Sequence, residues 1–441
     1  MQYVLGNMLN GGGGLNADGL ALDLQFAADK TMTARKGPNP AFTRGSTGTF
    51  VGSNGLIQTA AVNAARFDHD PVTLACKGLL IEESRTNAAF QSGVIVNNIG
   101  WVVSSSTTGA TSVASGTGPD SNTSYLISES ATTAPHGLYN TGTNTVTLGA
   151  SVTSGVAYTA SAFVKKVTGS IDWIQILLGT GGFGSQYANF NLTTGQFGNV
   201  SGLTTRVEEH ANGWYRISVT RNATVTTSTT ATFGVNFINN TNGTTSGPSY
   251  AGSTSNQFLL TMCQFEAGSF PTSYIPTTTG SVVRSADVCS ITGANFTSFY
   301  NSTSGTLLSE ASISNLIGSN RGIVQIDNGT NLSILRHVYG FPDGGFRSVI
   351  RENGDSQTVL SPTTGTASTI QKRIIAYEGT GFASVTNGGA VATATRTMPT
   401  GLNAMRIGNL VDGSFYLSGH IAAIRFYKKR LSNAKLVQLT A

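Results

Sequence analysis

The sequence predicts an all-β protein built as two antiparallel β-sandwich (jelly-roll) domains after an extended N-terminal anchoring segment. Three observations predict it. Charged residues are only 11% of the 441-residue chain, against about 25% in an average globular domain. Gly supplies 54 positions, and Ser, Thr and Asn fill most of the remaining polar ones, a composition that suits strands and turns rather than helices. Apolar residues recur at every second position in short runs that Gly, Pro or Asn-Gly interrupts.

The elements follow in chain order. Residues 1–20 pair a small apolar set, Tyr3, Val4, Leu5, Met8 and Leu9, with the run Gly11 to Gly14, which suits a docking peptide on a flexible connector. Leu22, Leu24 and Phe26 alternate as in a strand, and Pro38, Pro40 and several glycines then divide the chain into short pieces. Residues 1–90 therefore read as a docking segment and loop-rich region. Residues 91–285 read as a β-sandwich or jelly-roll domain. Tyr158 to Lys165 and Trp173 to Leu177 are strand-like, and Asn212-Gly213 is a hairpin turn signal leading into Trp214 to Thr220, where Tyr215, Ile217 and Val219 share one face. Trp173 and Trp214 read as core. Residues 286–441 read as a second sandwich, with strands at Thr306–Leu308, Gly322–Ile326, Arg373–Tyr377, Met405–Gly408 and Gly419–Tyr427. Leu431 to Leu439 is the one stretch with a helical pattern, and Ser432 is its N-cap.

Composition also bounds function. The net charge of +5 is mild for this length and its Lys and Arg are scattered, so no basic stripe points to nucleic acid. No apolar run approaches the roughly 18 residues of a membrane span, and the N-terminus has no secretion-signal pattern. Cys76, Cys263 and Cys289 are odd in number, lack metal-ligand spacing and read as buried free thiols.

Candidate chemistry is sparse. Glu82-Glu83 and Glu208-Glu209 are adjacent acids, and neighbours on a strand point to opposite faces, so neither pair can flank one sugar ring as a glycosidase requires. The five histidines, His69, His136, His210, His337 and His420, lack metal-ligand spacing. Asp68-His69-Asp70-Pro71 reads as an Asp-capped turn, with calcium as its alternative, and Asp343-Gly344 and Asp412-Gly413 read the same way. No metal or organic cofactor is expected, calcium being the exception that stays open. Neutral glycans are held by aromatic faces together with amide and hydroxyl groups. Trp101, Tyr187, Tyr250, Tyr339 and Phe341 are the candidates for such contacts, with packing in the core or rim as the alternative role of each.

Three stretches carry a resemblance: Gly78-Leu79-Leu80-Ile81-Glu82-Glu83-Ser84-Arg85-Thr86-Asn87, then Asn212-Gly213-Trp214-Tyr215-Arg216, then Gln264 through Phe270-Pro271-Thr272-Ser273-Tyr274-Ile275-Pro276-Thr277. In this order they resemble the virion proteins of tailed bacteriophages and gene transfer agents that carry the phage head-spike fibre domain. The match covers about residues 20–290. The C-terminal stretch from Gly408 to Leu436 is similar to the closing strands of a concanavalin/laminin-G-like sandwich. The resemblance implies a non-enzymatic structural virion protein, a head spike or fibre subunit at the virion surface, assembled in the bacterial cytoplasm. It implies homo-oligomers, attachment to another virion protein through residues 1–10, and adsorption to host surface polysaccharide. Its alternatives are a tail fibre or receptor-binding protein, a capsid decoration protein without ligand, and a polysaccharide depolymerase. The three motifs read as framework rather than as sugar contacts.

Overall fold

The computed structural model describes residues 19–97, 100–103, 110–140, 151–179, 181–227, 233–239, 243–314, 320–340, 345–356, 358–360, 369–411, 413 and 415–441. Among these, strands dominate and nearly all pair antiparallel, Val96–Asn97 beside Gly100–Val103 being a parallel exception. The all-β sandwich architecture that composition predicts is the one observed.

One sandwich lies wholly between residues 88 and 275. Its first sheet runs in the order Ala110–Thr117, Thr123–Glu129, Gln257–Ala267, Ala157–Thr168, Trp214–Asn222, Thr204–His210. Its second runs Gln196–Ser201, Gln186–Asn191, Trp173–Leu178, Phe233–Phe237, Gly137–Asn140, Gly100–Val103, Val96–Asn97. Alternate residues of both sheets, including Ala160, Ile174, Ile176, Ile217, Val219 and Phe258, meet in one buried core. Asn212 and Gly213 both adopt positive φ, 62° and 74°, which is what a tight hairpin turn demands of its central residues.

The other sandwich is discontinuous, and here the expected boundary at residue 90 gives way. Leu20–Leu24 and Cys76–Ile81 both pair with Gly419–Tyr427, setting Leu22 opposite Phe426 and Leu79 opposite Ile421. Ala41–Thr43 pairs with Val288–Thr292 in the facing sheet. Leu22, Leu24, Leu79 and Ile81 are buried in the same core as Leu307, Ile326, Ile375 and Met405. From residue 20 onward the early segment is therefore part of the C-terminal sandwich and no separate anchor. The reason is physical: strands of three to six residues bury too little alone, and they gain a core only by pairing with a long strand made elsewhere. We call this the closing sandwich and the other the inserted sandwich. Tyr3, Val4, Leu5, Met8 and Leu9 lie outside the described residues.

Helices Phe26–Asp29 and Gly293–Phe299 are additions that the local pattern does not announce; each buries Phe side chains at a chain reversal. Asn433–Thr440 is helical as expected, and Ser432 Oγ accepts the Lys435 N–H at 3.3 Å. Its Leu436 packs with Leu308 and Ile374 on the outer face of the closing sandwich.

The sandwiches are joined by a buried ion cluster. Arg44 and Arg66 bind the two oxygens of Asp287 at 3.1 and 2.6 Å, and Arg66 and Arg284 bind Glu82 at 2.8 and 2.9 Å. All five side chains are essentially out of water. The Ser273 backbone N–H and hydroxyl also donate to Glu82, at 2.8 and 2.6 Å, so the crossover that leaves the inserted sandwich is tied to the same carboxylate. Burial alone would raise the Glu82 pKa, but Arg284, Arg66 and Ser273 more than offset it and hold it well below the usual carboxylate range.

Trp101 and Trp173 sit in the inserted sandwich and Trp214 on its outer face at the junction, so tryptophan fluorescence reports on that sandwich and its joint, and far-UV circular dichroism on both sandwiches. The two urea transitions are expected to coincide, and Glu82→Gln is expected to lower stability by about 3–5 kcal/mol, as when one partner of a buried pair is removed. Separate transitions would show that the cluster does not couple the sandwiches. Because the Glu82 pKa is depressed on folding, its contribution is complete above about pH 4.3, the unfolded value, and falls away as pH drops below it.

Candidate functional site

Period-two alternation places polar residues on the outer faces of two sheets that confront each other. On the inserted sandwich, Arg206, Glu208 and His210 face outward, opposite Ser218, Arg216 and Trp214 of the next strand, while Ile217 and Val219 turn into the core. On the closing sandwich, His420 stands between Leu80 and Ser312 in register, with Asp68 on the adjoining strand. Between these faces lies a cleft of about 350 Å³, walled on its remaining sides by the hairpin Gly48–Val51/Ile57–Ala60 and the segment Pro271–Tyr274.

The chemistry of the cleft is ionic. Asp68 Oδ1 accepts the Val51 N–H at 2.6 Å, and its Oδ2 lies 2.8 Å from His420 Nε2 and 3.9 Å from Lys77 Nζ. Across the gap Arg206 pairs with Glu208 at 2.8 Å and donates to the Ser314 carbonyl of the closing sandwich at 2.6 Å. Arg216 donates to Ser161 Oγ and the Thr272 carbonyl at 3.2 and 2.7 Å and lies over the Phe163 ring at 5.6 Å. The His210 ring meets Phe163 edge-on, with centroids 4.9 Å apart. His210 Nδ1 and Arg216 Nε are buried and make no hydrogen bond among the described residues.

Two groups on this wall have displaced pKa values. Burial would raise Glu208, but Arg206 and Arg216 bring it down to about 2. Burial lowers His210 to about 4, with Arg216 and Lys77 adding to the shift and Glu208 opposing it. At neutral pH the wall therefore presents an ionised Glu208 and a neutral His210.

The alternation argument for the adjacent acids holds. Glu82 enters the buried ion cluster, while Glu83 turns away to Arg85 and Arg321, at 2.5 and 3.5 Å. Those two guanidinium groups lie over the Phe270 ring at 5.2 and 5.4 Å. Gly268, at φ +139°, sits where a Cβ would fall 1.4 Å from Arg85 Nη1, which explains a glycine inside the third motif. Asp70 caps its turn as expected, accepting from the Val72 and Thr73 N–H groups at 3.1 and 2.8 Å. Among the described residues no group of three or more His, Cys, Asp or Glu is placed to hold a metal ion. Cys263 and Cys289 are buried and Cys76 is half-buried.

The aromatic candidates need correction. Trp101 is buried, with Nε1 donating to the Gln91 carbonyl at 3.2 Å. Tyr250 is buried against Glu129, to which its hydroxyl donates. Tyr339 is buried on Phe346, with its hydroxyl on the Ala311 carbonyl at 2.9 Å. Tyr187 is buried beside Leu177 on the sheet. None of these four offers a ring face to a ligand, because each occupies a strand position whose burial the local pattern does not reveal. Phe341 lies outside the described residues. Trp173 is only half-buried, and Trp214 packs with Phe163 and Tyr274 at the junction rather than inside a sandwich. The cleft residues Asp68, Lys77, Arg206, Arg216 and His420 were not foreseen as a group. One signal was available: Arg206-Val207-Glu208-Glu209-His210 concentrates charge on an alternating strand in a charge-poor chain.

No protein-family model and no curated protein matches this sequence. Among solved structures, it is similar to the CBM40 domain of the Ruminococcus gnavus IT-sialidase bound to α2,3-sialyllactose, at 17% identity over 32% of this chain and 84% of that one, with a TM-score of 0.29. It is also similar to domains LG4-5 of the mouse laminin α1 chain, at 9% identity over 63% and 85%, TM-score 0.24. A third is the Trypanosoma rangeli sialidase in complex with the inhibitor DANA, at 10% identity over 75% and 62%, TM-score 0.28. At such TM-scores these likenesses assign no ligand.

The depressed His210 pKa fixes the sign of a pH effect. Below about pH 6.5 the unfolded chain takes up a proton that the folded one refuses until about pH 4. The His210 contribution to stability is expected to fall by ~3 kcal/mol as pH drops through that window and to stay constant below it, where the loss from Glu82 continues. Denaturant midpoints of the wild type and His210→Asn, compared from pH 7 to pH 4, check this; equal slopes for both would refute it.

Proposed function

We propose that the protein is a non-enzymatic spike or fibre subunit at the surface of a phage-like particle, which adsorbs to host surface polysaccharide through the cleft between its sandwiches. The observation that carries the ligand site is the cleft itself: its walls come from two sandwiches joined by one buried ion cluster. Its volume lies within the range of small-molecule sites, about 300–1,000 Å³. Its carboxylates accept hydroxyl hydrogens, while Lys77 and Arg206 donate to hydroxyl oxygens. Both capacities suit a polyol that offers a donor and an acceptor at each carbon.

The particle assignment rests on the three framework motifs, and the structure supports the framework reading by giving each a place in the junction. Glu82 of the first and Ser273 of the third share a hydrogen bond, and Asn87 Nδ2 donates to the Ile275 carbonyl at 2.8 Å. In the second, Arg216 donates to the Thr272 carbonyl. Attachment through residues 1–10 to another virion protein, a homo-oligomeric assembly and a place on the head belong to the same proposal. The depolymerase alternative is the weaker one. Glycoside cleavage needs a carboxyl whose pKa is raised so that it can donate a proton, and Glu208 is shifted the other way.

The test is a pull-down of host-envelope polysaccharide by the full chain, with reducing-end release measured in the same tube. Binding without release is expected, and the variant Lys77→Ala is expected to weaken it about tenfold while leaving the melting temperature in place. Release of oligosaccharide would overturn the non-enzymatic reading. Absence of binding would overturn the adsorption reading.

A further inference from the structure

A second cavity, of about 370 Å³, adjoins the first. Thr49, Ile57 and Tyr274 line both, so the hairpin Gly48–Val51/Ile57–Ala60 is a rib with a cavity on either flank. The rib is held in place from both sandwiches. Thr49 Oγ1 donates to the Tyr274 carbonyl at 2.5 Å and the Ile57 N–H to the Pro119 carbonyl at 2.9 Å on the side of the inserted sandwich, and the Val51 N–H donates to Asp68 Oδ1 of the closing sandwich at 2.6 Å.

The two cavities differ in chemistry. The first carries the ionic wall described above. The second is lined mainly by amides and hydroxyls, with Asn54, Gln58 and Thr59 from the hairpin and Ser121 and Asn122 from the loop of the inserted sandwich. Its one carboxylate, Asp120, accepts from the Asn122 backbone and side chain at 3.1 and 2.8 Å, which organises the loop and quiets the charge. Side-chain amides each carry donors and an acceptor at fixed separation, a match for the vicinal hydroxyls of an uncharged sugar unit. A fixed loop and a tied hairpin also reduce the ordering cost of binding.

We infer that the two cavities are adjoining subsites of one groove, which takes an internal stretch of a polysaccharide chain rather than a single terminal sugar. An uncharged sugar unit lies in the amide cavity, and the next part of the chain crosses the rib into the ionic cleft. There the buried Arg216 Nε–H and His210 Nδ1, both without a hydrogen-bond partner among the described residues, lie at the wall. A hydroxyl can accept from the first and either donate to or accept from the second. This deepens the adsorption reading and rests on it.

The experiment uses the full chain and size-fractionated fragments of the same host-envelope polysaccharide, obtained by partial hydrolysis, with affinities from titration calorimetry. Affinity is expected to rise at least about tenfold from the shortest fragments to those that span both cavities, and then to level off. Gln58→Ala/Asn122→Ala, two exposed positions outside both cores, is expected to lower affinity for long fragments about fivefold or more and to leave short fragments that fill only the ionic cleft unaffected. Lys77→Ala is expected to weaken both. Affinity independent of length, or long-fragment binding untouched by the amide variant, overturns the two-subsite groove while leaving adsorption standing. Failure of the intact polysaccharide to bind at all overturns adsorption and the groove with it.

Discussion

Five charged side chains hold this architecture to one geometry. Arg44, Arg66, Arg284, Glu82 and Asp287 are all out of water, and an ion in that setting is tolerable only when oppositely charged partners and hydrogen bonds surround it. The partners come from distant parts of the chain. Arg44, Arg66 and Glu82 lie ahead of the inserted sandwich and Arg284 and Asp287 follow it. The cluster therefore closes the point where the chain leaves one sandwich and returns to it. Replacing it with apolar groups would remove the desolvation cost but also the directional bonds that set how the crossover Pro271–Tyr274 lies. Specificity of docking, rather than net stability, is the reason we assign to it.

A second clamp works beside the first. Phe270 is held between Arg85 and Arg321, and Glu83 bridges both guanidinium groups. Glu82 and Glu83 thus serve two clamps because adjacent strand residues point in opposite directions. Asn87 extends the tie into the inserted sandwich, its Oδ1 accepting the Phe265 N–H at 2.9 Å. In this light the acid pair, the arginine and the asparagine of the first motif are a joint, and the glycine of the third motif makes room for it.

Much of this was legible locally and the rest was not, for a definable reason. Alternation and turn residues located the strands Gly419–Tyr427 and Trp173–Leu178 and the Asn212-Gly213 turn, because each is decided by neighbours in sequence. The pairing of Leu22 with Phe426 is decided by a partner some four hundred positions away, and nothing within Leu20–Leu24 records it. Ring burial failed for the same reason. Tyr250 looks like a loop aromatic, yet Glu129 from another strand and His136 from the link between two others enclose it. The cleft was hidden more deeply, since its walls are outer faces of sheets and would be ordinary solvated surfaces had the sandwiches not met. Only the charge density of residues 206–210 stood out, and it could not say which surface it would face.

The insertion has a consequence for recognition. Both walls of the cleft are strands whose inner faces are packed in separate cores, and the rib between the two cavities is bonded to each sandwich. A ligand entering the groove meets groups already positioned, and little ordering free energy is spent on binding. The mixed signs of Asp68 and Lys77 on one wall and of Arg206 and Glu208 on the other also limit what can dwell there. A strongly anionic chain meets carboxylates beside every cation, and a cationic one meets the converse. A chain of hydroxyls can use both, because each hydroxyl donates and accepts. Such contacts are individually weak in water, and the proposed display of many copies on a particle would make number, rather than the strength of one contact, the source of its hold. In a chain with only 11% charged residues, the junction gathers ions of both signs onto two facing walls, which is where a hydroxyl-rich chain can use them.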